Sequence, residues 1–178
     1  MNMRHSELVL VLIRLKINAD HCHVLIRHKK WRDWSLVGGH VEPGERNDWA
    51  RAAVRECNEE LVPLRFGEDF LLLPLLDQPM RWGPLASKSA NDEPTMYTAQ
   101  VFALRFLKPP AECLAKLPSN EFRVVRESEI ISGQQSQDAL TARAIKRMDR
   151  GTLAWDATLS SLPIQPASVP TWIPTGGA

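Results

Sequence analysis

Cysteine is scarce: Cys22, Cys57 and Cys113 are the three in 178 residues, an odd number with no Cys-x-x-Cys spacing. That excludes a disulfide framework and argues against a zinc site, and it fits free thiols in a reducing cytoplasm. Long apolar runs are also missing. The run Leu8 to Ile13 falls far short of the roughly 18 residues that a membrane span needs, and Arg14 and Lys16 follow it with no small-residue cleavage site. No membrane partner and no export are expected. Neither sign of charge is in excess, with 22 Lys plus Arg against 21 Asp plus Glu, so any anion site must be local. The six tryptophans and thirteen prolines follow no period, which excludes solenoids and propellers.

What is present is an ordinary globular composition, 44% hydrophobic and 24% charged, in a chain of one-domain length. The reading is one domain over residues 1–159 and a proline-rich extension over 160–178. Glu7 to Ile17 reads as a buried strand, Asn18-Ala-Asp20 as a turn, and His23 to His28 as the strand that pairs with it. Trp34 to Val37 leads into Gly38-Gly39. From Asp48 to Leu61 the period becomes helical, with Ala50, Ala53, Val54, Cys57 and Leu61 on one apolar face and Asp48 as N-cap. Val62-Pro63 ends it. Phe70 to Leu76 reads as a strand followed by a long loop up to residue 95. Met96 to Leu107 and Phe122 to Val125 read as further strands, and Ser136 to Arg150 as a helix stopped by Gly151. Strands and helices in this order point to an α/β fold with a mixed sheet.

The chemistry gathers on the first helix. Glu56, Glu59 and Glu60 stand at i, i+3 and i+4, within an arc of about 100°. Three like charges beside an apolar stripe are costly unless a cation joins them, and carboxylate oxygens are the ligands that Mg²⁺ or Mn²⁺ prefers. A lone Glu-x-x-Glu-Glu helix is ordinarily a solvated face. The glycine-rich loop before it, Gly38-Gly-His-Val-Glu-Pro-Gly-Glu45, changes that balance.

Loop and helix together resemble the signature of the Nudix hydrolase family, G-x5-E-x7-R-E-U-x-E-E-x-G-U with U aliphatic. Gly39 and Glu45 match its first half, and Arg55-Glu56-Cys57-Asn58-Glu59-Glu60 its second. Two departures stand out. Nine residues rather than seven separate Glu45 from Arg55, the extra pair being Arg46-Asn47, and Val62-Pro63 replaces the expected glycine and aliphatic residue. The resemblance implies an α/β/α sandwich with a mixed sheet, and Mg²⁺- or Mn²⁺-dependent hydrolysis of a nucleoside diphosphate linked to a group X. It implies that Glu56, Glu59 and Glu60 hold the metal with the Gly38 carbonyl, and that Arg55 orients a glutamate, Glu45 being the candidate partner. Glu121 is the candidate general base, with Glu112 and Glu127 behind it. Many members of the family pair as homodimers.

Other features carry alternatives. Arg27 to Arg32 with Trp31 and Trp34 would make a basic, aromatic rim that draws a polyanion and stacks a base, or simply the soluble end of a hairpin. No nucleic-acid partner is expected. His21-Cys22-His23 has metal-ligand chemistry but alternates across a strand with no second cluster to complete a site. Trp82 would stack a nucleobase or plug the core. Pro79, sixteen residues past Pro63, has a spacing similar to the ADP-ribose-cleaving subgroup. Two rivals to the enzyme remain, a ligand sensor on the same fold that does not turn over, and a nucleic-acid-binding protein.

Overall fold

The computed structural model describes residues 3–29 and 34–132. Two sheets and three helices account for most of them. In the first sheet β1 (Arg4–Leu12) lies between β5 (Val37–His40), antiparallel, and β8 (Glu93–Phe106), parallel. Along the other side of β8 run β6 (Phe70–Pro74) and then β7 (Met80–Ser87), both antiparallel. The second sheet centres on β3 (Asp20–Arg27), paired with β2 (Arg14–Ile17), β4 (Trp34–Ser35) and β9 (Phe122–Arg126). The fold is therefore α/β with a mixed sheet.

The apolar run at the N-terminus is shared between the sheets. β1 ends at Leu12, Ile13 is buried between strands, and β2 begins at Arg14 as part of the other sheet. The hairpin partner of β3 is thus β2 alone, with Asn18 in the left-handed region at φ 54 making the turn. Successive residues of β1 face opposite ways, and both faces are buried, so the strand reads as a continuous apolar run. Val9 and Val11 pack with Ala53, Cys57, Leu61, Phe70 and Phe102. Leu8, Leu10 and Leu12 pack with Leu25, Trp34, Leu36, Val101 and Val125.

The stretch from 64 to 95 holds more than a strand and a loop. After β6, the strand β7 pairs with the first half of β8, interrupted by an irregularity at Gly83-Pro84. Glycine and proline hid it from the sequence, because both lower strand propensity. Short helices α2 (Pro110–Leu114) and α3 (Glu127–Ser132) flank β9. The expected helix Ser136 to Arg150 and the tail from 160 lie outside the described residues, as do residues 30–32 of the basic stretch. No described helix is long and apolar enough to cross a membrane.

Helix α1 (Trp49–Glu60) positions the acidic residues. Asp48 caps it, its Oδ1 accepting from the Arg51 amide at 3.0 Å, and it ends where the Leu61 amide donates to the Cys57 carbonyl at 2.9 Å. Leu61 lies at φ −107 as C-cap, so the helix closes without a left-handed glycine, and Pro63 cannot extend it. The buried face is rotated from the sequence reading. Ala52, Ala53, Glu56 and Cys57 are buried, whereas Ala50 is exposed and Val54 half-buried. That rotation turns Glu56 inward.

Candidate active site

Helix α1 lies against β5, and the contact depends on missing side chains. A Cβ placed on Gly39 would meet the Glu56 carboxylate, with Cδ at 2.7 Å and Oε2 at 2.8 Å. Gly38, at φ +147, has no room for a Cβ against the Val9 carbonyl, and its amide donates to Glu60 Oε2 at 3.0 Å. Glycine at both positions lets two acidic side chains reach the backbone of the strand. Glu56 and Glu60 thus face β5, while Glu59 points outward, its side chain 59% exposed. The trio shares an arc but not a single direction.

Arg55 ties the loop to the helix. Its Nε donates to Glu45 Oε1 at 2.9 Å and Nη2 to Glu45 Oε2 at 3.0 Å, while Nη1 reaches Glu56 Oε1 at 2.8 Å. Nη2 also donates to the His40 carbonyl at 2.9 Å. The contact with Glu59, at 3.5 Å, is the longest of the set. The loop turns through a short 3-10 segment, Pro43–Glu45, closed by reciprocal Glu42 and Glu45 bonds, and Arg46 and Asn47 project from it as exposed residues. The two-residue excess over the family pattern is absorbed there without parting Glu45 from Arg55.

The electrostatics follow from burial and crowding. Burial, opposed by the Gly38 amide and reinforced by the neighbouring glutamates, pushes the Glu60 carboxyl up to about 8. Burial likewise raises Glu56, against the pull of Arg55. The Arg55 hydrogen bonds hold Glu45 below the ordinary carboxylate range. Two carboxyls with ionisation disfavoured by burial, side by side, are a donor set that a divalent cation would stabilise. Among the described residues no three His, Cys, Asp or Glu side chains close into a ready-made cage. Mg²⁺ does not require one, since it ordinarily keeps waters and takes substrate phosphate oxygens beside one or two carboxylates. The residues present therefore fit such an ion.

The other candidates take no part in the Arg55 network. Glu121 is exposed at the start of β9, its carbonyl accepting from the Arg27 amide at 2.9 Å, and no hydrogen bond or ion pair joins its carboxylate to the helix acids among the described residues. Glu112 is exposed on α2. Glu127 is no candidate base: it is buried, with Arg14 Nε at 2.8 Å and His23 Nε2 at 2.7 Å on Oε2. That contact also accounts for His23, whose side chain serves the core rather than a metal. Trp34 is 5% exposed with the Arg123 guanidinium 4.1 Å from its ring centroid, so it cannot stack an incoming base as a rim residue. The His40 carbonyl escaped sequence reasoning because a backbone acceptor leaves no mark on residue type.

A NUDIX domain model matches residues 8–126, about two thirds of the chain. No curated protein matches. Among solved structures, the Ap4A hydrolase of C. elegans is similar at TM-score 0.53 and 18% identity, over 79% of this chain and 93% of that one. A mutT/nudix family protein from Listeria innocua is similar at TM-score 0.50 and 18% identity, over 82% and 92%. Shewanella oneidensis NrtR, complexed with a 27mer DNA, is similar at TM-score 0.52 and 12% identity, over 78% of this chain and 58% of that one. These likenesses are of fold. The glycine-rich loop, the acidic helix and the matched span together make this chain a member of the NUDIX domain family.

Proposed function

We propose that the protein is a divalent-metal-dependent pyrophosphohydrolase that cleaves the diphosphate linkage of a nucleoside diphosphate derivative. The observation that carries this reading is the pair Glu56 and Glu60, two inward carboxyls set against Gly38 and Gly39 and braced by Arg55. Glu56, Glu60, Glu59 and the Gly38 carbonyl would hold Mg²⁺ or Mn²⁺. When bound, the metal supplies neutralisation of diphosphate charge and a lowered pKa for water. Arg55 positions Glu56 through Nη1 while its other donors are held by Glu45 and His40, so the carboxylate keeps its aim without a free choice of rotamer. Glu121, open to solvent, would take the proton of the attacking water.

The test is product release from a panel of nucleoside diphosphate compounds with Mg²⁺ and with Mn²⁺, comparing the native protein with Glu60→Gln. Turnover that falls to background in the variant is expected; equal turnover in both removes the site. The second reading is a nucleotide-binding sensor on the same fold that does not turn over; a protein similar in fold, NrtR, is one that binds DNA. Saturable binding of the panel with no product from the native protein would establish that one instead.

A further inference from the structure

Arg4, at the start of β1, has an arrangement that the acidic site does not use. Its Nη1 donates to Ser87 Oγ at 3.0 Å and to Thr95 Oγ1 at 3.1 Å. Ser87 is 1% exposed and Thr95 fully buried. Thr95 Oγ1 in turn donates to the Glu93 carbonyl at 2.9 Å, and Ser87 Oγ meets Ser89 Oγ at 3.1 Å. One nitrogen of the guanidinium is thereby fixed by two neutral acceptors, which orient the group without neutralising it. Nε and Nη2 have no protein partner among the described residues, and neither is buried without one. No described carboxylate pairs with this arginine. A half-buried cation with an oriented, open two-donor edge is shaped for a carboxylate or phosphate.

Its neighbours link it to the acidic site. Ser6, two residues along β1 and so on the same face, has Oγ 2.9 Å from His40 Nδ1. His40 follows Gly39 on β5, whose opposite face meets Glu56. β5 pairs with β1 and with no other described strand, so its second edge is free among the described residues. The register sets the order: Gly38 opposite Leu10, His40 opposite Leu8, and Arg4 four residues further along β1, about 14 Å at ~3.4 Å per residue. The helix acids and the Arg4–His40 group lie on opposite faces of the sheet, with Arg4 turned toward β7 and β8, so a ligand that engages both passes round the free edge of β5 and reaches Arg4 last.

We infer that Arg4, with His40 beside it, holds a second phosphate of the substrate, one carried by the group X at the end remote from the cleaved linkage. The substrate class is then a nucleoside diphosphate whose X is itself phosphorylated. This rests on the pyrophosphohydrolase reading above. The test compares KM and kcat for ADP-ribose and for ADP-ribose bearing a phosphate on its terminal ribose. Arg4→Met should raise KM for the phosphorylated compound by about 10- to 100-fold, the worth of a hydrogen bond to a charged group, and leave kcat and the KM for ADP-ribose unchanged. Arg4→Lys, which keeps the charge but loses the fork, should fall between and serves if the methionine variant does not fold. A KM that rises equally for both compounds, or for neither, overturns the inference. Metal-free titration with inorganic pyrophosphate separates the two readings. Binding about 10-fold weaker in Arg4→Met supports the subsite even if Glu60→Gln has shown there is no hydrolysis, and binding equal in both proteins overturns the subsite even if hydrolysis is intact.

Discussion

Arg55 and Glu45 meet at two points, Nε on Oε1 at 2.9 Å and Nη2 on Oε2 at 3.0 Å, across a loop two residues longer than the family pattern. A planar fork against a carboxylate fixes angle as well as distance, which a single contact does not. Because Nη1 of the same group reaches Glu56, the position of a loop glutamate is transmitted to an acid on the helix.

Arg55→Lys should therefore fail to rescue what Arg55→Ala loses. Lysine offers one point charge and cannot serve Glu45, Glu56 and the His40 carbonyl together. Both variants should lose about 10- to 100-fold in Mn²⁺ affinity or in turnover, the range for residues that orient a ligand. Electron paramagnetic resonance of free Mn²⁺ in titrations reads this directly, and a lysine variant with native affinity would show that charge alone matters.

Gly38 and Gly39 should separate in their responses to alanine. At Gly39 the obstacle is the end of the flexible Glu56 side chain, so Gly39→Ala should fold, move the carboxylate aside and lose metal binding. At Gly38 the obstacle is the Val9 carbonyl and the backbone lies at φ +147, so Gly38→Ala strains the fold itself. Thermal unfolding and Mn²⁺ titration of the two variants distinguish these outcomes: a small drop in Tm with lost binding for the first, a large drop in Tm for the second.

The sequence made α1, its cap and its acids legible because each is local: Asp48, the apolar spacing and Val62-Pro63 act within a few residues. The strands β3, β8 and β9 were legible for the same reason. What escaped depends on distant partners. Ile13 gives no sign that the chain changes sheets there, β7 is disguised by Gly83-Pro84, and the burial of Trp34 is set by Arg123 and the second core. At the site, residue types showed which acids were present, but the rotation of α1 that turns Glu56 inward and leaves Glu59 exposed is decided by packing against β5.

Glu127 gives a test of stability kept apart from catalysis. It is 6% exposed and Arg14 4%, and the fully buried His23 lies on the same oxygen as Arg14 Nε. Burial raises the Glu127 carboxyl, but the His23 and Arg14 contacts outweigh it and hold the group down to about 2. Burial keeps His23 below its ordinary value, against the pull of Glu127. Both groups bind protons more readily unfolded than folded. The stability that Glu127 contributes is present above the ordinary carboxylate range near 4.5 and lost as pH falls toward about 2. That of the neutral His23 is lost as pH falls below its ordinary 6.5. Urea unfolding between pH 8 and pH 3 should show stability declining on acidification in the native protein. Glu127→Gln should remove about 3–5 kcal/mol at neutral pH, because it takes away the buried carboxylate that Arg14 meets through Nε and Nη2, and should flatten the acid limb of that profile. Turnover per folded molecule should stay native, since Glu127 lies with Arg14 and His23 and not with the helix acids. A fully folded variant with lost turnover would return Glu127 to the list of candidate bases.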